Sequence, residues 1–465
     1  MRLSHFVLPI GLALAPFAAN AATYTVGPSG SGKQFTQLST ALSSLNLEPG
    51  DVLLVDGGTT YSGGVVVGSN DGGTASKPVI IRWNTAAGST RPRLQGGIHT
   101  VKFQQSNHVV FQGFDVRGGS NTCIFNEAHN VTVRDSIIRD CPAHGILAAD
   151  LLSGSFTLEY SEVFNAGASS NRHALYMQSD EVRFPNSTFL MRYNYVHNGN
   201  GGNLLKSRHE RSLVYYNWFE GATYQEIELI GPDCETQASG WNANLKREDS
   251  QLIGNVLVHT SSWPNAIRMG GDLNGRSQGR VRMVNNTILF DRGGSAKAVQ
   301  VQLGAGSLEM HNNAIYQPSG SPTIVSENPA SGMETPVCGP LGRDPWSAGR
   351  QVAGSNNWVQ SSASGVPTEW KNTRRGSNPG MTSIAQRNLR PLATSPLLGQ
   401  GTNAPPVPAA FPFVRPVLIP TTDPALRTKM SIGTQDGRVW PAGNIAIGAL
   451  EQRDIDDVVR ATSGN

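Results

Sequence analysis

The feature that most limits how this chain can fold is a phrase that it keeps repeating. Val79-Ile80-Ile81-Arg82 is followed by NHVVFQGFDV from residue 107, NVTVRDSII from 130, FTLEYSEVF from 156, TFLMRYNYV from 188 and SLVYYNWF from 212. QLIGNVLV from 251, VRMVNNTILF from 281 and SLEMHNNAIY from 307 continue the series. Each phrase holds two short apolar-rich runs around a polar break. Aligned, the break places Gly113, Asp135, Ser161, Asn194, Asn217, Asn255, Asn286 and Asn313 in one column. Successive Asn lie roughly 23, 38, 31 and 27 residues apart, a loose period in the solenoid range. A unit this short cannot bury its own apolar face, so the copies must stack. Asn suits such a turn because it tolerates left-handed backbone angles and its amide can hydrogen-bond from coil to coil. Whatever exceeds about 22 residues per repeat is loop. The large insertions fall at 166–172 with 181–187, and at 231–247, on either side of Lys206.

Composition agrees. Fifty-two Gly among 465 residues and only 15% charged residues argue against long helices and for many short strands. A net charge of +3 with no concentrated basic tract gives no support to nucleic-acid binding. Arg2, the apolar run Phe6–Ala19 and Ala19-Asn20-Ala21 read as a secretory signal peptide over residues 1–21. No later run approaches the roughly 20 apolar residues of a membrane span. The expected location is therefore secreted or periplasmic, and a monomer is expected. In an exported chain Cys123, Cys141, Cys234 and Cys338 allow one or two disulfides. Pairing Cys123 with Cys141 and Cys234 with Cys338 keeps the first bridge local; the other reading is small buried thiols. GPSGSGKQ at 27–34 imitates a phosphate loop, but Gln34 replaces the hydroxyl residue that would hold magnesium, so it reads as a glycine-rich turn.

Phe35, Leu38, Leu42 and Leu45 have the spacing of one short amphipathic helix, stopped by Pro49-Gly50-Asp51 before the strand 52–55. Helix, turn and strand have the form of a cap on the first coil of a solenoid. With ATSPLLGQGT at 393–402 and NIAIGALEQ at 444–452, the cap and the Asn column resemble the right-handed parallel β-helix superfamily of pectate-lyase-like and chondroitinase-B-like proteins. The resemblance implies an all-β solenoid of three parallel sheets with an N-terminal capping helix and long loops. It also implies a carbohydrate-active protein: a lyase, a hydrolase or an epimerase. The expected organisation is a leader over 1–21, cap and first coil over 22–78, β-helix core over 79–320, and loop-rich coils with a Pro-rich strap over 321–465.

The second strand of successive coils aligns by its buried pairs, Leu175/Met177, Leu205/Ser207, Ile227/Leu229, Ile267/Met269 and Val299/Val301. Between them Tyr176, Lys206, Glu228, Arg268 and Gln300 should face outward, as should Arg208 and Glu226 on the same strands. At about 4.8 Å per coil the five form a ladder roughly 20 Å long. His144, His173 and Asn203 begin the strands.

Such a ladder suits an acidic, uronate-containing polysaccharide, and β-elimination is the reaction it fits. That reaction needs a base for the proton at C5, a cation for the carboxylate and an acid for the leaving oxygen. Lys206, with Arg208 and Arg268 lowering its pKa by like charge, is the candidate base. Arg268 or Arg208 would hold the carboxylate, and Tyr176 or His173 would be the acid. Glu228, Asn203, Gln300, Tyr224 and Trp241 are candidate substrate contacts, the aromatics by stacking on sugar rings. The same ladder is also how a parallel sheet solvates its surface through salt bridges. A hydrolase would need two carboxylates across the bond, with Glu226, Glu228, Asp233 and Asp272 to choose from. A glycan-binding surface protein is the third reading. No metal motif is present; calcium is admissible only through Asp233, Glu235 and Asp249.

Overall fold

The computed structural model describes residues 21–231, 249–271, 279–328 and 344–452, apart from 414, 436, 441 and 442. The leader expected over 1–21 lies, but for its last residue, outside the described residues. So do Asp233, Cys234, Glu235, Trp241, Asp272 and Cys338.

The repeated phrases become coils of a right-handed parallel β-helix. Each coil contributes one strand to each of three sheets, and each strand pairs in parallel with its equivalents in the coils before and after. Among the described residues sheet A has 12 strands, from Thr23–Val26 to Val352–Ser355; sheet B has 12, from Thr60–Ser62 to Arg374–Gly376. Sheet C has 10, from Val65–Val67 to Thr323–Asn328. Strands of three to six residues suffice because their backbones pair with the strands of the neighbouring coils. Alternation sends one residue set inward: in sheet C, Leu175, Leu205, Ile227 and Ile267 stack in register and are buried.

The first coil is capped. Helix α1 (Leu38–Ser44), shorter than the spacing predicts, lays Leu38, Ala41 and Leu42 on the first coil. The Asp51 carboxylate accepts the amides of Ala22 and Glu48 and fixes the turn that follows. The phosphate-loop mimic is a turn: the Thr25 amide donates to the Gln34 side chain, and Lys33 pairs with Asp56 at 3.5 Å. An antiparallel hairpin, Met381–Ser383 with Asn388–Pro391, packs outside sheet B in a second apolar cluster with Trp218, Val258, Leu289, Trp358, Ile447 and Leu450, and Arg387 in its turn pairs with Glu220 and Asp291.

The polar column is built one residue away from where the alignment puts its beginning. The ladder runs Ser136, Ser161, Asn194, Asn217, Asn255, Asn286, Asn313, Asn357. In its Asn section each backbone N–H and each Nδ2 donates to the Oδ1 of the next coil at 2.9–3.0 Å. Asp135 and Gly113 precede the ladder positions, in line with Tyr160, Tyr193, Tyr216, Gly254, Asn285, Asn312 and Asn356, and all of these have positive φ. The ladder Asn are therefore chosen for their two-way amides. The left-handed bend belongs to the residue before.

That bend, between sheets A and B, carries the C-terminal strap. Tyr160, Tyr193 and Tyr216 stack outside it at ring separations of 4.9 and 5.4 Å. The strap starts beside Asn356 and Asn312, which bond Gln400 and Thr402, and runs back past Tyr216 and Tyr193 to Lys429, 2.7 Å from Asp135. Phe413 is buried over Arg282, its ring 4.0 Å from the guanidinium, while Phe411, Val417 and Ile419 are half-buried. Cys123 and Cys141 form the local disulfide, with Cα atoms 5.6 Å apart.

Candidate functional site

Sheet C brings the five ladder residues together in the expected register: Tyr176 beside Lys206, Lys206 beside Glu228, Glu228 beside Arg268, and Arg268 beside Gln300. Glu228 is the hub. Its carboxylate is fully buried, accepts from Asn203 Nδ2 at 2.6 Å, contacts the Arg268 guanidinium, and lies 3.8 Å from Lys206 Nζ. The two cations keep 14% and 20% of their side chains exposed. Lys206 Nζ also stands 5.4 Å over the Tyr176 ring. Arg208 donates through Nε to the Tyr176 hydroxyl oxygen at 3.0 Å and through a terminal nitrogen to the Gly231 carbonyl at 2.8 Å. Gln300 is buried at the far end of the row.

A second column stands where these strands begin. His144 Nδ1 accepts the His173 amide at 3.0 Å, His173 Nδ1 accepts the Asn203 amide at 2.9 Å, and Asn203 Oδ1 accepts the Gln225 amide at 3.2 Å. Accepting through Nδ1 leaves the proton of each neutral ring on Nε2. Burial first, then the charges of Lys206, His144, Arg208 and Arg268, pushes the His173 pKa well below 6.5. Burial likewise drives His144 down to about 4. The two rings are 5.2 and 5.6 Å from Tyr176. They form a neutral wall behind the phenol.

Four placements depart from the strand alternation. Arg208, Glu226, Glu228 and Gln300, expected to face solvent, are buried. Arg208 follows its strand and turns onto Tyr176 and Gly231. Glu226 precedes its strand, at the corner between sheets B and C, where it meets His259 at 2.6 Å. It therefore supplies no second carboxylate on the ladder face. Tyr224 sits at the same corner, edge-on to Trp263 with ring centroids 5.0 Å apart. Trp263 is absent from the sequence-derived set because it lies in a turn outside the repeat alignment. Of the sequence-predicted contacts Trp241 lies outside the described residues, as do two of the three calcium candidates, Asp233 and Glu235.

No protein-family model matches the chain, and no curated protein matches it. Among solved structures it is similar to the pectate lyase Pel9A, at 13% identity and a TM-score of 0.52, over 94% of this chain and 97% of that one. It is also similar to an alginate lyase from Paenibacillus sp. str. FPU-7, at 16% identity and a TM-score of 0.41, over 77% of this chain and 98% of that one. A rhamnogalacturonan lyase aligns at 14% identity and a TM-score of 0.44, over 77% of this chain and 87% of that one. The likeness to Pel9A, spanning nearly all of both chains, is a likeness of fold: a parallel β-helix. Chemistry has to be argued from the side chains.

Proposed function

We propose that this protein is an exported polysaccharide lyase that cleaves a uronate-containing polymer by β-elimination. The observation that carries the reading is the row Tyr176–Lys206–Glu228–Arg268, in which two partly exposed cations flank one buried carboxylate and a phenol stands beside Lys206. Among the described residues Lys206, Arg208 and Arg268 bring cationic groups to this face, which suits an anionic ring. Arg268 is placed to neutralise the uronate carboxylate, which acidifies C5. Lys206 takes the C5 proton, the C4=C5 bond forms, and the bond from C4 to the glycosidic oxygen breaks. Tyr176 gives its proton to the leaving oxygen: Arg208 Nε donates to the phenol oxygen, which stabilises the phenolate that results. His173 enters as a positioning residue, since its buried, neutral ring is committed through Nδ1 to Asn203. Gln300 and Asn203 border the row, Asn203 by holding Glu228.

Hydrolysis is the weaker reading, because among the described residues the row offers one carboxylate where two are needed. The test is ultraviolet absorbance during digestion of pectate, alginate and glycosaminoglycan panels, with and without EDTA. The reading expects a rise in the unsaturated-uronate band with one polymer and its loss in Lys206→Ala. New reducing ends without that band would replace the lyase by a hydrolase. Neither signal, with binding retained, would leave a glycan-binding protein. A drop on EDTA addition would bring calcium into the site.

A further inference from the structure

Two features next to the row take no part in that chemistry: the buried acid Glu226 and the exposed indole of Trp263. The structure joins them. Glu226 and His259 are both fully buried, with Oε2 of the acid 2.6 Å from Nδ1 of the ring. The other ring nitrogen, Nε2, lies 2.6 Å from the carbonyl oxygen of Trp263. A carbonyl only accepts, so Nε2 carries a proton. Burial alone would depress the His259 pKa, but the facing carboxylate outweighs it and holds the value above 6.5. The ring is thus clamped between the carboxyl group of Glu226 and a backbone oxygen.

The same oxygen accepts a second bond from Arg292 Nη1 at 2.8 Å, and the Trp263 amide donates to Ser261 Oγ at 3.1 Å. Ser261 Oγ in turn donates to the carbonyl of Thr223, in the turn that carries Tyr224. A turn that only had to reverse the chain would not need a buried acid–imidazole pair beneath it, since burying polar and ionisable groups is costly. What is held is an aromatic residue left 39% exposed, edge-on to Tyr224 at 82°. Both aromatics stand in the turns leading into the strands that carry Glu228 and Arg268, Ile227–Ile230 and Asn265–Gly270. They therefore border the row where those two strands begin.

We infer that Trp263, braced by Tyr224, is a stacking platform for a pyranose ring of the polymer bound at the row, and that Glu226 and His259 position its backbone. A pyranose presents an apolar face of C–H groups that packs flat on an indole, while its hydroxyls stay in water. The inference rests on the proposed polysaccharide function and adds a subsite to it.

Binding of hexasaccharides of pectate, alginate and a glycosaminoglycan is measured by calorimetry for the full chain and for Trp263→Ala, Trp263→Phe and Lys206→Ala, with turnover on whichever binds. The expected result is a rise of about tenfold in Kd and KM for Trp263→Ala at nearly unchanged kcat, largely rescued by Trp263→Phe. Lys206→Ala should bind and not turn over. Glu226→Gln should raise KM without lowering kcat; because it alters a buried pair, the two surface variants at Trp263 keep the test decisive if it does not fold. Wild-type Kd and KM in Trp263→Ala would overturn the platform and leave the lyase standing. Wild-type protein that neither binds nor cleaves any of the three would overturn both.

Discussion

Glu228 shows how a single side chain can set the character of a surface it does not reach. It is buried, yet Lys206, Arg268 and Asn203 are all arranged around its two oxygens. Glu228→Ala would take a buried counter-charge from two mostly buried cations, and we expect about 3 kcal/mol lower stability in denaturant unfolding together with loss of turnover. A titration signature belongs to this scale too. His144 and His209 take up a proton near pH 4 in the folded protein, against 6.5 for a free imidazole, mainly because both are buried. Between those values the unfolded chain binds more protons, so stability rises with pH across the window and is lost as pH falls from about 6.5 toward 4. Thermal melts over that range should show the slope, and His209→Gln should flatten it. The outward row was legible in the sequence because its inward neighbours, Leu205, Ile227 and Ile267, mark the register. The burial of Glu228 and Arg208 was not, because it is conferred by residues from other coils and by a turn at the strand's end.

At the scale of elements, the Asn ladder and the strap do different work. Asn255 accepts two buried donors from Asn217 and sends its own amide to Asn286 and to the Val214 carbonyl. Asn255→Ala orphans several of these groups at about 1–3 kcal/mol each, so a loss of some 2–4 kcal/mol is expected in urea unfolding, with sheet C and its row intact in what still folds. Arg282 holds the strap from beneath: buried, it bonds Glu309 at 3.0 Å and the Arg415 carbonyl at 2.9 Å and lies against Phe413. Arg282→Ala should open the strap to limited proteolysis near residue 413 before the coils melt; simultaneous loss of both would refute a separate strap. The strands were readable because each is a local alternation. The beginning of the ladder was misread by one residue because Asp135, Tyr160 and Tyr193 stand beside it with the positive φ that the sequence suggests for Asn. Phe413 advertised burial, but nothing local says which sheet it covers.

At the scale of the molecule, the repeat made the architecture legible while leaving the chemistry to be argued from one face. Stacking follows from units too short to stand alone, whereas the choice of which face acts depends on where insertions, aromatics and buried charge coincide. Trp263 shows the limit: its importance comes from a turn, a partner in the next coil and an acid 37 positions earlier in the chain, none of which the alternation encodes. The cap has a consequence of another kind. Helix α1 covers one end, and a coil set between two others pairs with both of them, so the number of open sheet edges stays the same whatever the number of coils. Lengthening the protein adds interior without adding ends. A lineage could therefore insert or remove whole coils, each bringing its own ladder amide, and so lengthen or shorten sheet C while the row on it stays as it is.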